Sequence, residues 1–352
     1  MVEMMTIKDA VKQWGISKSM LARLCREGRI AGVQKIKGLW MIPADAQYPA
    51  DARVRSHGAQ SGTPARKKLP LPIGISDYRK ASSEYYYVDK TLMIRDFLDE
   101  VPMVSLFTRP RRFGKTLNMD MLRTFFEKSD EDTSVYFTGK KIWACGKAYR
   151  AHQGKYPVIF LSFKDVKCKT WEETYDLIAK LIVMEYKRHD ELASTDNPDF
   201  DFYQRIIQHE AEPNDFMLSL MMLSKMLHEH HGIEPMVIID EYDTPIQQGH
   251  ACNFYDDVIL FIRNLFSGAF KDNRHLKYGF LTGILRVAKE SIFSGLNNLK
   301  INSILDDRYS EYFGFTLDEV REMATYYSAG DKVNELCEWY DGYRFGNTDV
   351  YP

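Results

Sequence analysis

An apolar segment, a basic loop and the triplet Gly114-Lys115-Thr116 follow one another between residues 103 and 116. This order is typical of the second half of a phosphate-binding loop, in which backbone N–H groups at the start of a helix bind phosphate oxygens. Lys115 would then reach the β- and γ-phosphates of a nucleotide, and the hydroxyl of Thr116 would bind Mg²⁺. The alternative is an ordinary basic turn in front of a helix.

The strict pattern of such a loop, G-x-x-x-x-G-K-[ST], is broken at its first position, where Arg109 replaces glycine. Glycine permits backbone angles that other residues avoid, so we expect a loop of different shape here. Arg111, Arg112 and Phe113 fill the positions before Gly114. We predict that these three residues, together with Arg109 and Gly114, contact the nucleotide.

A second motif is the apolar run 236–239, which ends in the carboxylates Asp240 and Glu241. Phosphoryl-transfer sites need a carboxylate to hold Mg²⁺, and Asp240 is suited to this. Hydrolysis also needs a base that polarises the attacking water, and we assign this catalytic role to Glu241. An acidic loop at a strand end is the alternative. The two motifs together favour ATP and Mg²⁺ as ligands, because both follow strands whose carboxyl ends form the ligand edge of an α/β sheet.

A third apolar run ends in Thr282, and Arg286 follows shortly after it. Thr282 could sense the γ-phosphate, and Arg286 could stabilise its charge during catalysis. A strand end followed by a surface arginine explains the same residues equally well.

These residues need a parallel sheet to bring them together. The apolar runs predict strands at Met103–Phe107, Val158–Phe163, Met236–Ile239 and Tyr278–Leu285. The amphipathic stretches between them predict helices at Lys115–Lys128, Trp171–His189, Asp215–His230 and Phe254–Phe270. Alternating strands and helices indicate an α/β fold, that of a P-loop NTPase with a parallel sheet and flanking helices. After about residue 311 the pattern becomes mostly helical, with helices predicted at 316–328 and 332–340.

Five separated segments resemble the bacterial AAA-ATPase-like family: Tyr87–Thr91, Arg109–Thr116, Ile239–Pro245, Ser291–Asn298 and Trp339–Gly346. The arginine at position 109 is itself part of that family's loop. The resemblance implies a P-loop ATPase with an additional strand between the two motif strands. It also implies a PD-(D/E)XK nuclease-like domain further on, which the sequence does not reach. We therefore expect nucleotide binding without DNA cleavage, and a helical lid at 311–352 with Arg344 near phosphate.

The amino-terminal residues form a separate basic region. Residues 1–68 hold 13 Lys and Arg against five Asp and Glu, although the whole chain has a net charge of −2. Residues 6–43 resemble a winged helix-turn-helix of the MerR/excisionase type, which implies contact with duplex DNA. The predicted contacts lie on the second helix and the wing: Lys18, Ser19, Arg23, Arg26, Lys35 and Lys37. A protein-interaction module with a solvated basic face is the alternative.

Length and composition complete these expectations. The 352 residues suggest several domains, for which we predict a winged helix-turn-helix at 1–43, a flexible linker at 44–72, a P-loop domain at 73–310 and a lid at 311–352. Five scattered cysteines and no apolar run of membrane-spanning length predict a cytoplasmic protein without a membrane partner. Self-association is left open. The leading interpretation is an ATP-hydrolysing switch with a DNA-binding head; the rivals are a non-hydrolysing interaction scaffold, a transcription regulator and a small-molecule kinase.

Overall fold

The computed structural model of the protein describes residues 4–14, 21–22, 24–25, 30–36, 39–44, 46, 68–284, 292–293 and 296–352. The chain divides into two compact units, Met1–Arg66 and Lys67–Pro352. Each unit has its own hydrophobic core, and we describe them separately.

The first unit contains a helix and a small antiparallel sheet. Its elements are β1 (Met4–Thr6), α1 (Ile7–Trp14), β2 (Gln34–Ile36) and β3 (Leu39–Pro43), and the strand order is β1-β3-β2. Thr6 and Asp9 bond each other's backbone N–H groups at the start of α1, which is a reciprocal cap of the helix. The strand β1 was not predicted. Of the expected second helix, only 21–22 and 24–25 lie among the described residues, and these four are helical.

The second unit is built on a five-stranded parallel sheet. Its strands are β4 (Val104–Thr108), β5 (Val158–Ser162), β6 (Met236–Asp240), β7 (Tyr278–Gly283) and β8 (Leu299–Asn302), in the order β5-β6-β7-β4-β8. The strand β7 therefore lies between β4 and β6, as the family resemblance implied. The four predicted strands and four predicted helices match the observed elements to within two residues.

Helices cover both faces of this sheet. They are α2 (Tyr78–Glu84), α3 (Leu92–Glu100), α4 (Lys115–Phe126), α5 (Lys141–Ala144), α6 (Lys147–Arg150), α7 (Trp171–Arg188), α8 (Phe200–Ile207), α9 (Pro213–His231), α10 (Thr244–Cys252) and α11 (Tyr255–Phe270). Successive residues of β6 pack into two hydrophobic cores, which lie on opposite faces of the sheet. Val237 and Ile239 pack with α7, α9 and α11, whereas Met236 and Ile238 pack with α3 and α4. Burial on both faces explains why the strand reads as a continuous apolar run.

The carboxyl-terminal segment corrects one prediction. It contains the two expected helices, α12 (Leu317–Tyr326) and α13 (Val333–Tyr340), but also a three-stranded antiparallel sheet of β9 (Phe315–Thr316), β10 (Tyr343–Phe345) and β11 (Thr348–Tyr351). The segment predicted to be mostly helical over 311–352 therefore also contains a small sheet that was not predicted. The Gly346-Asn347 pair is a hairpin-turn signal, and Gly346 has the positive φ of +54° that such turns require.

Residues at the start of the second unit hold this segment in place. The ammonium of Lys90 is buried, and it donates hydrogen bonds to Glu319 Oε1 at 2.7 Å and to the carbonyl of Glu311 at 2.6 Å. Leu69 is bonded through its N–H and its carbonyl to the hydroxyls of Tyr326 and Tyr327. The backbone of Leu69, within the predicted linker, is therefore bound at the end of α12.

A buried ionic cluster lies at the amino end of β5, opposite the carboxyl edge of the sheet. The guanidinium of Arg188 contacts the carboxylates of Glu127 and Glu185 and the carbonyl of Val158. Burial alone would raise the pKa of Glu185, but hydrogen bonds from His189 and Arg188 outweigh it and lower the pKa to about 2. Glu185 therefore stays ionised in the folded protein over the ordinary pH range.

His189 completes this cluster. Its Nδ1 lies 3.1 Å from Glu191 Oε1, and its Nε2 lies 3.2 Å from the carbonyl of Val158. Burial lowers the pKa of His189, but hydrogen bonds to Glu185 and Glu191 outweigh this effect and raise the pKa above its usual value. The protonated imidazole is thus favoured in the folded state.

These shifts predict a pH window for stability. A raised pKa of His189 stabilises the fold fully below the unfolded value of about 6.5, and this contribution is lost as the pH rises through the folded value. The lowered pKa of Glu185 stabilises the fold above about pH 4.3, and this contribution is lost as the pH falls towards 2.

We expect His189→Gln to lose more unfolding free energy at pH 5.5 than at pH 8.5, measured by urea denaturation. The exposed control His250→Gln should change neither value. Equal losses at both pH values for His189→Gln would contradict the assignment.

Candidate nucleotide-binding site

The buried carboxylate of Asp240 is the centre of the site. It lies at the carboxyl end of β6, where Oδ2 accepts a hydrogen bond of 2.7 Å from the hydroxyl of Thr116. Oδ1 accepts a hydrogen bond from the hydroxyl of Thr282, in β7. Ser162, at the end of β5, lies 3.5 Å from Oδ2. The structure thus brings three predicted residues together at one edge of the sheet. Ser162 was not predicted, although its position at a strand end was the signal that could have identified it.

Glu241 follows Asp240 in a conformation that is unusual for glutamate. Its φ is +52°, in the left-handed region that few residues other than glycine adopt. Its N–H donates to the hydroxyl of Thr282 at 3.3 Å, and its Oε2 accepts a hydrogen bond of 3.2 Å from the hydroxyl of Thr244. Strained backbone of this kind persists only where surrounding contacts hold it, and it is concentrated at functional sites. Sequence reasoning did not identify Thr244, three residues further along the chain.

The end of β7 packs tightly against the segment that follows Asp240. A Cβ atom on Gly283 would lie 2.6 Å from the ring of Tyr242, so a side chain there would force the two segments apart. Asp243 accepts hydrogen bonds from the N–H of Ile284 at 2.9 Å and from Gln247 at 2.7 Å. Arg286, predicted to stabilise phosphate charge, lies outside the described residues.

Lys115 opens α4 directly after Gly114, whose φ is +72°. Its ammonium is buried and donates hydrogen bonds to the carbonyls of Arg109 at 3.1 Å and Pro110 at 2.9 Å. Burial lowers the pKa of Lys115, and the negative charges of Glu241, Asp240 and Asp243 oppose that shift. The lysine therefore lies within the field of the acidic residues at the end of β6.

The residue that replaces the first glycine of the loop is fully buried. Arg109 donates from Nη1 to the carbonyls of Thr108 at 2.9 Å and Asn302 at 2.8 Å. Its guanidinium lies 4.9 Å from the ring centre of Phe313 and 5.2 Å from that of Phe345. Burial lowers the pKa of this guanidinium to about 10. Arg109 therefore joins the loop to β8 and to the carboxyl-terminal segment through its own side chain.

The three loop residues before Gly114 face different environments. Arg111 and Arg112 are exposed, and Arg112 has a φ of +72°. Phe113 is buried and packs edge-on against Tyr343, with 5.1 Å between ring centres. The loop therefore presents two cations to solvent and one aromatic ring to the carboxyl-terminal sheet.

Other candidate residues were predicted to lie near phosphate or to contact DNA. Arg344, expected near phosphate, forms an ion pair of 3.3 Å with Asp349 across the hairpin of β10 and β11. Lys35 is exposed on β2, with its ammonium 5.5 Å from the ring centre of Trp40. The remaining predicted DNA contacts, Lys18, Ser19, Arg23, Arg26 and Lys37, lie outside the described residues.

Two kinds of feature are absent from the described part of the chain. Among these residues, no group of three or more His, Cys, Asp or Glu side chains is arranged to hold a metal ion. In the same part of the chain, no helix combines the length and the apolar character needed to cross a bilayer.

The five-stranded parallel sheet, its flanking helices and the groups at its carboxyl edge are those of a P-loop-like α/β fold. Residues 72–293 match the AAA-ATPase-like family, described as "Predicted AAA-ATPase", and the chain belongs to this family. Membership suggests nucleotide binding or hydrolysis.

A relative is the "Uncharacterized protein in vnfD 5'region" of Azotobacter chroococcum mcd 1. It is 29% identical over 288 residues, which cover 82% of this chain and 50% of the relative. The chain therefore spans about half the length of this relative.

The position of Arg109 gives a test of what shapes the loop. Arg109→Gly restores the strict glycine pattern but leaves the carbonyls of Thr108 and Asn302 without their donor and the rings of Phe313 and Phe345 without their partner. We expect this change to lower the free energy of unfolding by roughly 2–4 kcal/mol, the range for emptying a buried position and losing buried hydrogen bonds. Arg111→Gly, at an exposed position of the same loop, serves as the control in chemical denaturation. Wild-type stability of Arg109→Gly would show that the guanidinium does not hold the loop.

Proposed function

We propose that the chain binds Mg-ATP at the carboxyl edge of the large sheet and hydrolyses it. The observation that carries this proposal is the hydrogen bond between Thr116 and Asp240. It joins the helix after the basic loop to the end of β6, and the buried ammonium of Lys115 lies beside it. An ammonium, a hydroxyl and a carboxylate in this order along the chain match the requirements of a nucleoside triphosphate and its metal ion.

The donor set fits Mg²⁺, which prefers oxygen ligands. Thr116 and Asp240 would hold the ion, and when bound the ion supplies positive charge to the phosphate oxygens. Lys115 would bind the β- and γ-phosphates, and the N–H groups at the start of α4 would bind further phosphate oxygens. Arg111 and Arg112 add positive charge on the exposed side of the loop, which favours the approach of a polyanion.

Glu241 is the proposed general base. Its left-handed backbone and its hydrogen bond from Thr244 restrict where the carboxylate can lie, next to Asp240 but not bonded to the same hydroxyl. In this position the carboxylate would accept a proton from the attacking water. Thr282 contacts both Asp240 and the N–H of Glu241, so it would transmit the state of the γ-phosphate to both acidic residues. Arg286 stays a proposed source of positive charge during hydrolysis.

A non-hydrolysing nucleotide-gated scaffold is the alternative. It would use the same phosphate and metal contacts without a base. The held conformation of Glu241 favours hydrolysis, because a strained glutamate beside Asp240 is not needed for binding alone.

We further propose that the amino-terminal unit binds duplex DNA. The excess of Lys and Arg over residues 1–68 supports this, as does the antiparallel pair β2–β3, which could serve as a wing. Lys18, Ser19, Arg23 and Arg26 would face the major groove, and Lys35 and Lys37 would contact phosphates.

Two substitutions separate binding from hydrolysis. Lys115→Ala removes the ammonium, and we expect ATP affinity to fall roughly 10- to 100-fold, as for lost hydrogen bonds to charged groups. Glu241→Gln keeps the size and polarity of the side chain but removes the base, so ATP should bind normally while kcat falls about 10²- to 10⁴-fold. Calorimetric titration and phosphate release measure the two effects. Normal turnover in Glu241→Gln would exclude this residue as the base, and unchanged affinity in Lys115→Ala would exclude the loop.

Binding of DNA by the amino-terminal unit is tested on the full chain. We expect affinity for duplex DNA to fall as salt concentration rises, because Lys and Arg contacts release counterions from phosphates. Lys35→Ala should weaken binding to all duplex sequences alike and reduce the salt slope by about 1. Lys147→Ala, an exposed lysine of the second unit, is the control and should leave both unchanged. If the full chain does not bind duplex DNA even at low salt, the amino-terminal unit is instead a protein-interaction module.

A further inference from the structure

A cleft of about 510 Å³ separates the basic loop from the carboxyl-terminal segment. Arg111, Arg112 and Phe113 form one wall. The other wall includes Tyr340, at the end of α13, and Tyr343, at the start of β10. The volume is within the range of small-molecule binding sites, which are about 300–1,000 Å³.

The two walls are fixed to each other. The ring of Phe113 packs against the rings of Tyr343 and Phe345, each with 5.1 Å between ring centres. The N–H of Gly314 donates to the carbonyl of Phe113 at 3.2 Å. A Cβ atom on Gly314 would lie 2.6 Å from the ring of Phe113, so the backbone there approaches the loop as closely as glycine allows. The cleft is therefore part of the fold of this unit.

The chemistry of the cleft suits a nucleoside. Tyr340 is 53% exposed and Tyr343 is 46% exposed, so both rings offer open faces on which a planar base can stack. Asp341 lies between them along the chain and also lines the cleft, and its carboxylate can accept hydrogen bonds from ribose hydroxyls or from an exocyclic amine. Arg111 and Arg112 on the opposite wall can stack on a base or bind phosphate.

The position of the cleft decides what it would bind. Phe113 lies two residues before Lys115, so phosphates bound at the start of α4 would lie next to the mouth of the cleft along the loop. We propose that the cleft binds the base and ribose of the nucleoside triphosphate whose phosphates the loop holds, with Tyr340 as a stacking residue. This inference rests on the proposed function, and it assigns to the carboxyl-terminal segment a direct part in nucleotide binding.

The test compares two ligands that share their phosphates. Calorimetry on the full chain gives the dissociation constants for ATP and for inorganic tripolyphosphate, which has no base or ribose. We expect Tyr340→Ala to weaken ATP binding at least about fivefold, the lower end for stacking of a base on an aromatic ring, and to leave tripolyphosphate binding unchanged. Tyr340→Phe keeps the ring and should bind ATP like the wild type.

Trp339→Ala is the matched control. Trp339 is the neighbouring aromatic residue of α13, is 83% exposed and does not line the cleft, so its removal should not affect ATP binding. The inference is overturned if Tyr340→Ala binds ATP normally, if it loses tripolyphosphate to the same extent, or if Trp339→Ala has the same effect. In each of these cases the proposed function would still stand, provided that the wild type binds ATP and that this binding depends on Lys115. If the wild type binds neither ligand, the proposed function fails together with the inference.

Discussion

The buried carboxylate of Asp240 is the acceptor on which the arrangement of the site depends. One carboxylate collects hydroxyls from three elements that are far apart in sequence: α4, β5 and β7. A carboxylate without such partners would be costly to bury, so its bonds to Thr116 and Thr282 both stabilise the charge and align the elements that carry them. Because β7 pairs directly with β6, the hydroxyl of Thr282 reaches Asp240 from the neighbouring strand. The strand order of the sheet thus also determines which side chains meet at Asp240.

The carboxyl-terminal segment also holds the basic loop in place, from its other side. Lys90 holds α12 through Glu319, while Phe313 and Phe345 enclose Arg109. The side chain of Arg109 faces these rings, and its carbonyl accepts a hydrogen bond from Lys115. A shift of the carboxyl-terminal sheet would therefore be transmitted to Lys115 through a single residue, Arg109.

Much of the sheet could be predicted from the sequence, because buried parallel strands read as continuous apolar runs. The run at Met236–Ile239 is an example, and the observed strand extends it by one residue, to Asp240. The strand β8 was missed, since Leu299–Asn302 is short and has a polar residue at every second position. The hairpin at residues 343–351 was missed because its turn signal follows a strongly helical pattern.

The site residues that lie next to apolar runs in the sequence could be predicted. Thr116, Asp240 and Thr282 each follow or end an apolar run, and the parallel arrangement brings such positions to one edge. Ser162 also ends a strand and could have been identified in the same way. The contact of Thr244 could not be predicted, because it depends on the backbone turn at Glu241. The proposed part of Tyr340 could not be predicted either, because it depends on the path of a segment more than 200 residues beyond the loop.

The arginine at position 109 also affects how such loops can be identified. A glycine motif consists of residues close together in the sequence, whereas the residue that replaces its first glycine here packs against Phe313 and Phe345, which are far from the loop in sequence. A substitution at Phe313 or Phe345 would act like a substitution within the loop, although neither residue is near it in sequence. Loops of this design are therefore better described by a pairing rule, a buried cation with two aromatic partners, than by a consensus string. The same rule predicts that an exchange of segments between such proteins succeeds only when the loop and its distant rings are transferred as a set.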